Sequence, residues 1–151
     1  TELLLLRGNE RVLEIGTGSA YQAAVLSLLC KEVYTIEFVK QLCEEARERL
    51  KRLAYRNVYV RCGDGYFGWK EAAPFDAVII TCGTPHIPQP IIEQTKEGGR
   101  IVTPLGNPPD DLVLTRLTKT RRGLKKETFG GVLFVPMRGK VEQASSDNGK
   151  Q

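Results

Sequence analysis

Two periods of apolar residues alternate along this chain, and the changes of period mark out its elements. Arg11–Ile15 is a short apolar run holding one carboxylate, Glu14, and reads as a strand that breaks at Gly16 and Gly18. Residues 19–30 return to helical spacing with Ser19 placed as the cap. Glu32–Glu37 reads as a second strand, and residues 39–53 as a helix with Leu42, Ala46, Leu50 and Leu53 on one face. Val58–Cys62 is a third strand, and residues 76–81 a fourth, continuously apolar as a central parallel strand is. A short helix over 89–95 leads through Gly98 and Gly99 to a fifth strand at 100–105. Beyond it the alternating run 112–117, then 125–129 and 132–137, read as antiparallel strands that finish the sheet. Residues 1–6 read as the closing turns of a helix ended by Gly8. The pattern predicts a doubly wound α/β fold, mostly parallel, in one domain over 1–137, followed by a polar, disordered tail over 138–151.

Composition narrows this picture only slightly. At 151 residues, with 41% hydrophobic and 26% charged residues, the chain is an ordinary globular domain long enough to bury a core. The net charge of +4 is spread over helices and turns, so no nucleic-acid stripe is expected. The basic cluster from Lys119 to Lys126 reads as a solvated hairpin turn. Cys30, Cys43, Cys62 and Cys82 show no C-x-x-C pairing, which predicts free thiols in a reducing compartment rather than a disulfide or metal site. The leucine run at 3–6 is too short to span a bilayer and no signal peptide precedes it, so the expected setting is cytoplasmic, without membrane contact.

Candidate chemistry gathers at the strand ends. Gly16 and Gly18 allow a sharp turn in which main-chain N–H groups approach a ligand. A dinucleotide site wants a third glycine where Tyr21 stands, and Glu14 lies where a pyrophosphate would be repelled. Glu-x-Gly-x-Gly after an apolar strand instead resembles the first motif of S-adenosylmethionine (SAM) methyltransferases, whose ligand bears an amino group and a sulfonium. Glu37 ends the second strand about twenty residues after the turn, where a carboxylate accepts hydrogen bonds from ribose hydroxyls. Gly63-Asp64-Gly65 ends the third strand at the same edge, with Asp64 suited to an adenine amino group. His86, the only histidine, has no identifiable partner and is not assigned a catalytic role.

Longer motifs carry a closer resemblance. Val12 to Gln22, Gly63-Asp64-Gly65-Tyr66-Phe67-Gly68-Trp69, Ala73-Pro74-Phe75-Asp76, Gly98-Gly99-Arg100 and Phe134-Val135-Pro136-Met137 together resemble the bacterial protein-L-isoaspartate O-methyltransferases. The resemblance runs from Thr1 to Met137, with Ala20 standing where the family usually has glycine. It implies a Rossmann-like SAM-methyltransferase sheet and SAM as cofactor. The implied cofactor-binding residues are Glu14, Gly16, Thr17, Gly18, Ser19, Glu37, Phe38, Asp64, Gly65 and Thr81.

The implied reaction is methylation of the free α-carboxylate of L-isoaspartyl residues in damaged proteins and peptides. That acceptor is ionised at neutral pH and needs no general base, in keeping with the lack of any acid–base constellation in the sequence. Positioning and desolvation would carry the rate. The family's Thr-Ile-Ser-x-Pro-like segment, which supplies substrate-lining hydroxyls, does not occur in this chain. The chain as given is therefore expected to bind the donor but to transfer methyl groups poorly. A methyltransferase for another small acceptor, and a non-catalytic SAM-binding fragment, remain as alternatives.

Overall fold

A computed structural model describes residues 1–147. One seven-stranded sheet runs through it in the order β3-β2-β1-β4-β5-β6-β7. Its strands are β1 (Arg11–Ile15), β2 (Glu32–Glu37), β3 (Val58–Cys62), β4 (Phe75–Ile80), β5 (Thr95–Asn107), β6 (Asp111–Thr120) and β7 (Gly123–Val132). The first five are parallel, and β5–β6 and β6–β7 pair antiparallel, as the sequence predicts. The helices are α1 (Tyr21–Ser27), α2 (Lys40–Arg52), α3 (Gln89–Gln94) and α4 (Lys140–Asp147). None of the described helices is long and apolar enough to cross a membrane.

The sheet buries both faces, and β1 shows how. Leu13 and Ile15 point into one core with Ile36, Phe75, Val78, Ile80 and Ile101. Val12 points into the other, with Ala23 and Leu26 of α1, Val33 and Ala77. The chain winds outward through β2 and β3, then returns to place β4 on the opposite side of β1. That reversal opens a crevice at the carboxyl ends of β1 and β4, where doubly wound sheets bind ligands.

Several sequence expectations are corrected. Helix α1 is shorter than 19–30, and its cap position is Ala20 in a left-handed conformation with no side-chain cap bond. The N-terminal segment is a single 3-10 turn at Glu2–Leu4, not helix, and it packs Leu4 into the core while Leu3 and Leu6 lie against it. On α2, Ala46 and Leu50 are buried and Cys43 takes the inward place, whereas Leu42, and Leu53 just past the helix end, are exposed. Of residues 132–137, only Val132 joins the antiparallel sheet, as the end of β7; 133–137 do not extend it. Pro136 lacks an N–H and forms only an isolated parallel bridge to Gly83. Around it Gly83 N–H donates to the Val135 carbonyl and Met137 N–H to that of Gly83, both at 2.8 Å.

The tail is corrected too. Residues 140–147 form α4, and Val141 and Met137 are buried in the main core. Two apolar anchors hold the segment, too few to make a periodic pattern. Residues 148–151 of the expected tail lie outside the described residues. Cys43 and Cys62 form a disulfide, against the expectation of four free thiols. Packing of α2 over β3 brings together two residues whose spacing carries no motif; Cys30 and Cys82 are free and buried. The basic cluster at 119–126 does turn a hairpin, with Thr120 opposite Gly123.

Candidate functional site

The glycine turn after β1 is held from several directions. Gly16 adopts φ 96° and Gly18 φ 53°, both in the left-handed region. A Cβ on Gly16 would sit against Thr81 Oγ1, so only glycine lets this backbone pass so near the end of β4. The Thr81 hydroxyl donates to the carbonyl of Gly16 at 2.6 Å and lies 3.0 Å from that of Ile15. Gly16 N–H donates to the Ile36 carbonyl at 2.9 Å, and Gly18 N–H to Glu37 Oε2 at 2.8 Å. Ser19 is exposed, and its Oγ is a distant acceptor for Tyr21 N–H at 3.4 Å.

This turn floors a cleft of about 780 Å³. Gly16, Thr17, Gly18, Ser19, Glu37, Phe38, Gly65 and Thr81, all anticipated from sequence, line it together. Glu37 is buried at the end of β2 and accepts from Gly18 N–H and, through Oε1 at 3.0 Å, from Val39 N–H. A carboxylate offers about four lone-pair positions, so two remain for further donors. Phe38 stands at the rim, 48% exposed. Cys82 lines the cleft as a neutral thiol, its pKa pushed up to about 12 by burial and then by the charge of Glu37.

Two anticipated residues are elsewhere. Glu14 does not line the cleft: it is fully buried on the α1 side of β1, behind the turn. Its Oε1 accepts from Thr35 Oγ1 at 2.6 Å, and Oε2 has no hydrogen-bond partner among the described residues. Burial raises its pKa from 4.5 to about 8; the Thr35 bond opposes the shift and the Glu37 charge adds to it. Alternation along a strand is the reason: side chains two apart share a face, so Glu14 follows Val12 and not Leu13.

Asp64 is also absent from the lining. Its Oδ1 caps the following 3-10 turn by accepting from Tyr66 N–H at 2.9 Å, and its Oδ2 accepts from Lys140 N–H at 2.8 Å. Gly139 packs so closely on this carboxylate that no Cβ would fit there. Gly65 bounds the cleft in its place.

The sequence did not single out the wall opposite the turn. Val135, Pro136, Met137, Arg138 and Glu142 form it. The signal for part of it lies in the Phe-Val-Pro-Met motif, whose sequence pattern alone predicts a strand. His86 offers its carbonyl to the Thr84 hydroxyl at 2.6 Å.

A doubly wound sheet with a glycine turn after β1, a buried carboxylate ending β2 and an antiparallel hairpin after β5 defines a Rossmann-like fold of the SAM-methyltransferase class. Comparison with known proteins narrows that class. A family model described as protein-L-isoaspartate(D-aspartate) O-methyltransferase matches residues 1–142. The chain belongs to this family. A protein-L-isoaspartate O-methyltransferase 2 from Shewanella sediminis is 52% identical over 151 residues, all of this chain and 61% of that protein. A solved protein-L-isoaspartate O-methyltransferase superposes with a TM-score of 0.90 at 30% identity, over 99% of this chain and 48% of that one. A Plasmodium falciparum structure assigned to the family, in complex with S-adenosyl-L-homocysteine, shares the fold at TM-score 0.71 and 22% identity, over 90% of this chain and 69% of that one. The chain spans about three fifths of the length of the curated relatives it matches.

Proposed function

We propose that the chain is the donor-binding domain of a methyltransferase acting on the α-carboxylate of L-isoaspartyl residues, with SAM as donor. The observation that carries this reading is the cleft at the carboxyl ends of β1, β2 and β4, floored by Gly16 to Ser19 and bearing the Glu37 carboxylate. Its size suits a nucleoside-sized ligand. The family membership supports the acceptor.

The residues present fit an adenosyl ligand. Gly18 has open space where a Cβ would stand, so a ligand can approach that backbone. Glu37 keeps acceptor capacity for a pair of hydroxyls, and the exposed ring of Phe38 beside it can cover a base. Thr81 and Gly65 complete the set by shaping the floor and far end. Glu14 and Asp64 are left out of this reading, since neither lines the cleft and each is engaged by other groups.

When bound, the donor supplies a sulfonium-activated methyl group. The chain's part is to bind, orient and exclude water. Its methyl would pass to an acceptor carboxylate oxygen, giving the methyl ester and S-adenosylhomocysteine, while Gly16 to Ser19 and Glu37 would hold the donor. No proton moves. Charge disappears as carboxylate and sulfonium neutralise each other, so a site that strips water from both should accelerate the step. The largely apolar wall at Val135, Pro136 and Met137 would serve that purpose. A dinucleotide reading is disfavoured because Tyr21, at the third-glycine position, stands 76% exposed where the pyrophosphate turn needs close backbone packing.

Two measurements test the proposal. Calorimetry should show S-adenosylhomocysteine binding and NAD not binding. A protein carrying this chain should methylate an isoaspartyl peptide and leave the same peptide with ordinary aspartate unmodified. Binding of NAD alone would overturn the donor assignment, and equal methylation of both peptides would overturn the acceptor.

A further inference from the structure

Three buried polar side chains run in a line from the interior of the sheet to the glycine turn. Glu14 on β1 and Thr35 on β2 are direct cross-strand neighbours in the parallel register, and both are fully buried. Thr35 Oγ1 donates to Glu14 Oε1 at 2.6 Å. The same oxygen makes a second 2.6 Å bond to Thr17 Oγ1, on the turn. A hydroxyl has one proton, so while Thr35 gives its own to Glu14, Thr17 must be the donor to Thr35. In that arrangement the line runs from the turn inward.

Such an arrangement is costly where a strand could have kept valine and leucine. Glu14 sits opposite Ile79 of β4, and Val12 and Val33 share its core. Its second oxygen has no partner among the described residues, so the acid is not there to complete a satisfied network. A local rule broken at this price, directly beneath a binding turn, points to function. Thr17 is 4% exposed yet lines the cleft, and its N–H reaches the Ile36 carbonyl only at 3.3 Å. Its side chain is thus the better-made of its two links to β2.

We propose that Thr35 is a positioning residue: oriented by Glu14, it grips the Thr17 hydroxyl and fixes the backbone of the turn, so that the acid of the Glu-x-Gly-x-Gly motif acts on the ligand through two hydroxyls and not by contact. The inference rests on the donor-site reading above. It assigns Thr35 a part in donor binding that its burial in β2 would otherwise hide.

The test separates contact from relay. S-adenosylhomocysteine and 5′-methylthioadenosine, which lacks the amino-acid end, are titrated by calorimetry into wild type, Thr35→Val, Thr35→Ser and Glu14→Gln, each confirmed folded at the working temperature. Thr35→Val removes only the hydroxyl and should weaken S-adenosylhomocysteine about tenfold. Thr35→Ser restores the grip and should bind within about twofold of wild type. Glu14→Gln keeps an acceptor for Thr35 and should lose far less than Thr35→Val. If Glu14→Gln instead loses the most, and only for the ligand carrying the amino group, Glu14 makes the contact and the relay is wrong. Unchanged affinity in Thr35→Val would also overturn it. If wild type binds neither ligand, the donor-site reading fails. The grip is then read in the ligand-free chain, where amide exchange at Thr17 and Gly18 should be faster in Thr35→Val than in Thr35→Ser; equal exchange would refute it.

Discussion

Replacing Glu14 by glutamine should flatten part of the dependence of stability on pH. Glu14 is fully buried, and burial lifts its pKa from an ordinary 4.5 to about 8. Between those values the folded chain keeps a proton that the unfolded chain has released. Stability from this group is therefore fully present below about pH 4.5 and is lost as pH rises toward 8. The slope is about 1.4 kcal/mol per pH unit, so raising pH from about 5 to about 7.5 removes about 3 kcal/mol. Glutamine does not titrate. Its amide would leave donors unpaired at the position of Oε2, a constant penalty of about 1–3 kcal/mol that shifts the curve without tilting it. Urea unfolding of both proteins across that pH range gives the difference, and other titrating groups cancel. The glutamine variant should gain about 3 kcal/mol on wild type from the acid to the neutral end. Parallel curves would show that Glu14 ionises at an ordinary pH despite its burial.

Three further outcomes follow from the same geometry. Glu37→Gln should weaken S-adenosylhomocysteine by about 1–3 kcal/mol in calorimetry, while leaving any binding of free methionine nearly unchanged; an equal loss for both would mean that Glu37 acts only by holding Gly18 and Val39. Reducing the Cys43–Cys62 bond, which closes a loop of sequence separation 19, should lower unfolding stability by about 3 kcal/mol in urea titrations with and without reductant. Coincident titrations would show that the two thiols are not bonded. Asp64→Ala should speed amide exchange at Tyr66 and Lys140, and unchanged exchange at Lys140 would mean that the Asp64 carboxylate does not hold the start of α4.

Much of the architecture was legible because its signals are local. The apolar run of β4, the glycine turn and the carboxylate ending β2 each declare themselves within a few residues. The antiparallel hairpin was visible in the alternation of β6. What escaped depends on contacts distant in sequence. Glu14 looks like a site residue from its motif, and only the strand's alternation, carried through from Val12, sends it to the far face. Asp64 looks free to reach a base until Lys140, 76 residues later, donates to it. Cys43 and Cys62 meet because α2 lies over β3, which no spacing rule foretells. Thr35 carried no signal at all, since a threonine inside a strand is ordinary.

The Gly83–Pro136 bridge has a consequence for how the cleft comes into being. Every residue on its floor lies at or before Cys82, whereas the opposite wall belongs to 135–142. A ribosome adding 5–20 residues per second reaches that wall roughly 3–10 s after completing the floor. During that interval β1 to β4 can pair, but the carbonyl of Val135 does not yet exist to receive the Gly83 amide. The crevice is born open and one-sided, and becomes a pocket only when residues 135–142 fold back across it. Ligand affinity therefore reports on whether synthesis has passed residue 142: a nascent chain released before it would carry a complete glycine turn and very little ability to hold anything in it.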